Sequence, residues 1–71
     1  MTIITIYDRN GWKLESYGHG WGYALIDTQN NKSAWFQDDD ASYFADNIMD
    51  DNGLLVKNVE ERFADYSDVM E

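Results

Sequence analysis

The first half of the chain alternates short runs of β-branched and aromatic residues with clusters of turn-forming residues. This pattern is typical of consecutive strands. The dipeptide Asn10-Gly11 lies between the first two runs and is the strongest short-range signal for a two-residue hairpin turn. The runs predict four strands joined as an antiparallel meander, at residues 2–7, 12–17, 23–28 and 33–37.

The turn positions also predict how the strands align. The first hairpin turn sets Ile6 opposite Glu15, an apolar residue against an acid, which is an unfavourable cross-strand pair. In the last hairpin, a turn centred on Asn30-Asn31 sets Leu25 opposite Phe36, a favourable apolar pair. The five residues 18–22 contain three glycines at alternate positions. Because a strand follows them, we expect a bent bridge between strands rather than a phosphate-binding loop.

The segment Gln37–Gly53 carries six acids and no base, yet its apolar residues recur at helical spacing. It therefore predicts an amphipathic helix with an acidic outer face. Asp39 or Asp40 is expected to cap the first turn, and Gly53 is expected to end the helix. The apolar residues that define the inner face are Ala41, Phe44, Ala45, Ile48 and Met49.

A second amphipathic helix is predicted to begin at Asn58, with Glu61 at the spacing of a capping box. An apolar stripe follows it, made of Val59, Phe63, Tyr66 and Met70. The short apolar run of residues 54–56 is either a brief strand or a packed connector. The fold class predicted is α+β, a four-stranded antiparallel meander followed by two acidic helices, in a single domain spanning residues 1–71.

Composition narrows the class of protein. Apolar residues make up 44% and aromatic residues 15% of the 71 residues, which favours a folded globule over a disordered acidic tail. The absence of cysteine excludes a disulfide framework and fits a reducing compartment. No apolar run approaches the ~20 residues that span a bilayer, and no signal-peptide pattern is present. We therefore expect a cytoplasmic protein.

Charge is segregated along the chain. Residues 1–35 hold three acids and three bases, whereas residues 36–71 hold eleven acids and two bases, which accounts for the net charge of −9. Such a charge repels nucleic acid and anionic membranes and attracts a basic partner. We therefore expect neither direct nucleic-acid binding nor membrane binding. Added solubility is the simplest alternative explanation.

Catalytic and metal-binding chemistry is poorly supported. The chain has no Ser-His-Asp pattern and little volume for a closed substrate pocket, so we expect no enzymatic activity and no cofactor. His19 is the only histidine and is expected to be a solvated loop residue. The run of three acids at residues 38–40 lacks the alternating spacing and the glycine of a calcium-binding loop, so no metal site is expected.

The acids can also act together as a surface that binds a basic partner. Carboxylates four residues apart on a helix are separated by ~6 Å along its axis, comparable to successive phosphates of a nucleic-acid strand. A folded protein that displays them can compete for a basic groove that normally neutralises phosphates. The predicted partner-binding residues are Asp38, Asp39, Asp40, Asp46, Asp50, Asp51, Glu60, Glu61, Asp65 and Asp68.

The chain is small, rich in aromatic residues and free of cysteine, and it carries acidic segments at residues 38–51 and 60–68. In these features it resembles the DNA-mimic anti-CRISPR and anti-restriction proteins of phages and mobile elements. The resemblance implies an inhibitor, acting in the bacterial host cytoplasm, that binds the nucleic-acid groove of a defence complex and blocks its target DNA. A type I CRISPR surveillance complex is the first candidate. The balanced charge of residues 1–35 departs from an all-round mimic and implies that one face engages the partner.

Two other functions fit the same sequence. An adaptor or antitoxin-like module would use the acids to bind a basic protein patch unrelated to nucleic acid. A structural subunit would use them only for solubility. Neutralising the acids would leave the function of a structural subunit intact. DNA would compete with a mimic for its partner but would not compete with an adaptor, so a competition experiment separates these two.

Overall fold

The computed structural model describes residues 2–71, in which four strands form one antiparallel sheet in the order β1-β2-β3-β4. The strands are β1 Ile3–Arg9, β2 Trp12–Tyr17, β3 Gly22–Asp27 and β4 Lys32–Gln37. Two helices follow, α1 Asp38–Ile48 and α2 Val59–Ala64, and then a 3₁₀ turn at Ser67–Val69. The predicted α+β fold, an antiparallel meander followed by helices, is confirmed.

The first hairpin turns where the sequence predicts. Asn10 and Gly11 have positive φ angles of 55° and 86°, as a turn that follows the strand twist requires. The predicted pairing of Ile6 with Glu15 is wrong, because a bulge between Thr5 and Tyr7 brings Thr5 opposite Glu15. The bulge leaves Ile6 half-buried against the core instead of facing an acid.

The last hairpin aligns differently from the prediction. Leu25 lies opposite Ala34, not opposite Phe36, so the register is shifted by two residues. The Asp27 carboxylate accepts hydrogen bonds from the backbone amides of Gln29 and Asn30, both at 3.1 Å, which stabilises a four-residue loop that begins one residue earlier than predicted. Side chains alternate with a period of two along a strand, so a shift of two residues still pairs side chains that lie on the same face of the sheet.

The core lies between one face of the sheet and the two helices. Leu14 and Leu25 are fully buried on this face, under Phe44 of α1 and Phe63 of α2. Burying each of these side chains stabilises the fold by about 1.5–3 kcal/mol. The residues of both predicted apolar stripes belong to the core or pack against it, as Ala41, Phe44, Ala45, Ile48, Met49, Val59, Phe63, Tyr66 and Met70.

The first helix is shorter than predicted. It ends at Ile48, and Met49 is extended, with its amide bonded to the Ala45 carbonyl. The chain then folds back, because the Val56 amide donates to the Ile48 carbonyl and Met49 forms an isolated antiparallel bridge with Leu55. A return of the chain at this point prevents another helical turn. Leu55 is therefore a packed connector with a single strand-like pair.

The predicted helix ends are also wrong in detail. Gln37 occupies the N-cap position, and its side chain makes no capping hydrogen bond within the described residues. Asp39 and Asp40 instead lie inside the first turn. Gly53 has a φ angle of 78°, as predicted for a left-handed residue, but it belongs to the loop after α1.

The second helix begins as predicted but is interrupted. Asn58 is the N-cap residue, and its side-chain amide lies 3.5 Å from Glu61 Oε2, the weak limit of a hydrogen bond, instead of capping the backbone. The α-helical geometry ends at Ala64, and the 3₁₀ turn continues the chain. This tighter winding brings Met70 into the core and lets Glu71 pair with β4.

The opposite face of the sheet carries exposed aromatic and aliphatic side chains. Ile3, Trp21 and Trp35 are 53%, 51% and 45% exposed. The Trp35 ring packs edge-on against Tyr17, with ring centroids 5.0 Å apart. Trp12 does not belong to this exposed surface, because its ring packs on Phe63 in the core, with ring centroids 5.7 Å apart.

Replacing Gly22 tests the packing of this outer face. A Cβ atom at Gly22 would lie 2.6 Å from Cη2 of Trp35, so Gly22→Ala must displace the indole. We expect a loss of about 1 kcal/mol in the free energy of unfolding, at the low end for overpacking because the ring can move toward solvent. The contribution of Trp35 to the near-UV circular dichroism should weaken, whereas that of Trp12, packed on Phe63, should remain.

Gly53→Ala is the matched control. It has no neighbouring atom within 4 Å among the described residues, so its cost of about 1 kcal/mol comes from backbone strain at positive φ. We expect its near-UV spectrum to match the wild type. Equal spectra for Gly22→Ala and the wild type would contradict the contact with Trp35.

Candidate partner-binding surface

Nine of the ten acids predicted to bind a partner are exposed, and Glu60 is the exception. They belong to several different elements of the fold. Three lie in the first turn of α1, one lies farther along α1, and two lie in the loop after it. The remaining exposed acids lie in α2, at its C-cap and in the 3₁₀ turn, at Glu61, Asp65 and Asp68.

The three acids at the start of α1 are held there by the helix itself. Asp38, Asp39 and Asp40 form its first turn directly after β4. Unpaired backbone amides at a helix N-terminus stabilise negative charge, typically by about 0.3–1 kcal/mol per exposed charge. Asp38 has a positive φ angle of 55°, at the abrupt change from strand to helix. The arrangement concentrates three exposed carboxylates at one end of α1.

Asp50 and Asp51 lie outside the helix on which the sequence places them. The Asp50 carboxylate accepts hydrogen bonds from the amides of Asn52, at 2.9 Å, and Leu54, at 3.0 Å. These bonds close the loop that returns the chain toward α2. Asp50 therefore has a structural role in addition to its exposed charge.

Glu60 is not a free surface charge. Its Oε2 atom accepts hydrogen bonds from the Tyr7 hydroxyl and from Nδ2 of Asn10, the latter at 2.7 Å. The bond from Tyr7, and then the bond from Asn10, lower the pKa of Glu60. Burial, and then the bond to Glu60, raise the pKa of Tyr7. The carboxylate thus links α2 to the first hairpin. Glu60 therefore has a structural role and does not present a free charge to a partner.

Arg62, one of the two bases in this half of the chain, is held between the helices. Its Nη1 atom donates to Oδ1 of Asn47 at 2.8 Å, and Nδ2 of Asn47 donates to the Tyr66 hydroxyl at 3.0 Å. The partner of the guanidinium in these contacts is a neutral amide. Asn47 carries no helical or turn signal that would have predicted this bridge, because the two partners lie 15 and 19 residues farther along the chain.

A groove lies beside the acidic surface, and sequence reasoning missed it. It has a volume of about 510 Å³ and is bounded by β4, α1 and the C-terminal segment. Its walls come from segments far apart in the sequence, so no local pattern indicates them. The residues that line it include Trp35, Phe36, Asp40, Tyr43, Tyr66 and Val69.

Comparison with known proteins assigns the chain to no family. No protein-family model matches the chain, and neither a curated protein nor a solved structure shows significant similarity to it. Within residues 2–71, no group of three or more His, Cys, Asp or Glu side chains is placed to hold a metal ion. In the same part of the chain, no helix has the length and apolar character needed to cross a bilayer.

The contact of Glu60 with the hairpin predicts a pH-dependent contribution to stability. Because the folded state lowers the pKa of Glu60, its stabilising effect is present above the unfolded pKa and is lost as pH falls through the folded pKa. We expect Glu60→Gln to lower the Tm at pH 7 and to reduce the loss of Tm between pH 6 and pH 3. Thermal melts across that range measure both effects.

Glu61→Gln, at the next position, which is exposed, is the control. We expect it to change the free energy of unfolding at pH 7 by less than about 0.5 kcal/mol, as is usual for surface substitutions. Identical melting profiles for the two variants would show that the contact of Glu60 with Tyr7 contributes nothing.

Proposed function

We propose that this protein inhibits a bacterial defence complex by occupying its basic nucleic-acid groove and blocking target DNA. The first candidate partner is a type I CRISPR surveillance complex, encountered in the cytoplasm of the host. The observation that carries the proposal is the exposure of nine acids in the helices and in the turns that follow them. Without Glu60, the proposed contact residues are Asp38, Asp39, Asp40, Asp46, Asp50, Asp51, Glu61, Asp65 and Asp68.

The physical basis is electrostatic competition. A groove that binds DNA gains much of its affinity by neutralising phosphates with Lys and Arg, and this contribution weakens as salt rises. Carboxylates on a folded scaffold can pair with the same cations without the sequence or flexibility of DNA. The helices, the loop after α1 and the 3₁₀ turn hold these carboxylates on a folded backbone before binding, which reduces the ordering cost of association.

The charge distribution supports binding through one side. The acids of the second half outnumber its bases by nine, whereas the strands of the first half are balanced. A field with this asymmetry orients the protein as it approaches a basic channel and accelerates association at low salt. The sheet would then face away from the groove.

A second function, binding to a basic patch of a protein unrelated to nucleic acid, is favoured by a different observation. Trp21, Trp35 and Tyr43 are 51%, 45% and 71% exposed, and imitation of a phosphate backbone does not require exposed aromatic rings. Such rings are enriched where proteins bind proteins. The two functions differ in whether DNA competes with the partner.

Two double substitutions with the same change in charge test the main proposal. We expect Asp46→Asn with Asp51→Asn to weaken binding to a purified type I surveillance complex by about three- to tenfold, because each exposed ion pair contributes about 0.2–1 kcal/mol. The control, Asp8→Asn with Glu15→Gln, removes the same charge from the sheet and should leave affinity unchanged. Asp50→Asn can be added to the first variant, since asparagine keeps the Oδ1 acceptor that closes the loop.

Binding is measured by surface plasmon resonance at several salt concentrations, and DNA recruitment by gel shift. We expect excess duplex DNA to displace the protein from the complex, and the protein to prevent DNA recruitment. Binding that resists excess DNA, with DNA recruitment unchanged, would contradict the mimic and favour the adaptor. Equal effects of the two double substitutions would contradict a role for the helical side.

A further inference from the structure

The outer edge of β4 is partly paired by the C-terminal segment. The Ser33 amide donates to the Glu71 carbonyl and the Glu71 amide donates to the Ser33 carbonyl, both at 3.0 Å. This reciprocal pair is the hydrogen-bonding pattern of an antiparallel ladder. The edge of the sheet is therefore able to accept an added strand, and one residue of the chain already occupies it.

The next position along this edge is open. Amide and carbonyl groups of alternate residues point to the same side of a strand, so those of Trp35 point outward as those of Ser33 do. The C-terminal segment leaves the edge at Met70, whose side chain enters the core and whose amide bonds to the Ser67 carbonyl. Within residues 2–71, no backbone group from outside the sheet pairs with Trp35.

The groove lies against this open position. Its aromatic wall contains Phe36, Phe44 and Tyr66, and Phe36 stacks on Phe44 with ring centroids 4.2 Å apart. Tyr43 and Val69, at 71% and 61% exposure, also line it. Its volume of about 510 Å³ is within the usual range for binding sites, about 300–1,000 Å³. The groove can therefore accept apolar side chains beside a backbone edge.

The charge of the residues that line the groove determines which kind of peptide segment can bind there. The lining contains the acids Asp40 and Glu71, and no Lys, Arg or His of the described chain belongs to it. With a net charge of −9, the protein attracts a basic segment and repels an acidic one. Backbone edge, aromatic wall and acids together match an extended peptide in which apolar and basic side chains alternate.

We propose that the groove binds an extended basic segment of a partner protein by strand addition to β4. The partner backbone pairs with the amide and carbonyl of Trp35. Its apolar side chains contact the aromatic wall, and its Lys or Arg side chains lie near Asp40 or Glu71. This site does not depend on DNA mimicry, because it uses a backbone edge and aromatic rings that the mimic leaves free.

A synthetic peptide, Ac-Lys-Ile-Lys-Ile-Lys-NH₂, is the probe. Titration of the ¹⁵N-labelled protein should shift the amide resonances of Trp35 and Tyr43 in a saturable manner. The peptide in which Glu replaces each Lys should not bind. Absence of saturation by the basic peptide at 5 mM, or shifts spread over the exposed acids far from the groove, would overturn the proposal.

Backbone methylation tests the strand pairing. One peptide is methylated at the amides of both isoleucines, and another at the amide of the central lysine. Alternate amides point to opposite sides of an extended peptide, so one methylated peptide should lose about fivefold in affinity and the other should bind as before. Equal affinities of the two methylated peptides would overturn strand addition.

A pair of substitutions on α1 tests the acidic contact. Asp40→Asn, in the groove, should weaken binding of the basic peptide by about two- to fivefold. Asp46→Asn, on the same helix but outside the groove, should have no comparable effect. Equal losses in the two variants would show non-specific attraction and overturn the proposal.

Saturable peptide binding without binding to a surveillance complex would reject the DNA mimic and leave this site in place.

Discussion

The stack of Phe36 on Phe44 is the contact on which the rest of the structure depends. The rings are 4.2 Å apart and nearly parallel, and Tyr66 meets both rings edge-on. One aromatic cluster thus joins the last strand, the first helix and the segment after the second helix. Phe→Ala substitutions in cores cost about 3–5 kcal/mol, which is much of the roughly 5–15 kcal/mol that stabilises a typical domain. A chain of 71 residues has few other contacts that could replace this cluster.

The same packing explains where the negative charge lies. Because both helices turn their apolar stripes toward the sheet, their acids are left on the solvent side, and exposure by itself requires no partner. Glu60 shows how the fold overrides this pattern, since its carboxylate is bound by the first hairpin. The proposed function therefore depends on what the nine exposed acids meet, and the matched variants separate their charge from the stability of the scaffold.

The two proposed binding surfaces use different physics. The acidic surface acts over distances comparable to the Debye length of ~10 Å and is weakened by salt. The groove beside β4 uses a backbone edge and aromatic contacts, which act at short range and depend on shape. A partner that used both would be attracted by the first and positioned by the second. Asp40 belongs to both surfaces, whereas Asp46 belongs only to the acidic surface.

The sequence by itself determined the features whose physics is local. Turn chemistry at Asn10-Gly11, the runs of β-branched and aromatic residues and the helical periodicity predicted the meander and both apolar stripes. The end of α1 at Ile48, the Tyr7–Glu60 contact across 53 residues and the groove were decided by tertiary structure. Those features depend on segments that meet only after the sheet and helices pack. The local sequence around each feature does not indicate which distant residue it will contact.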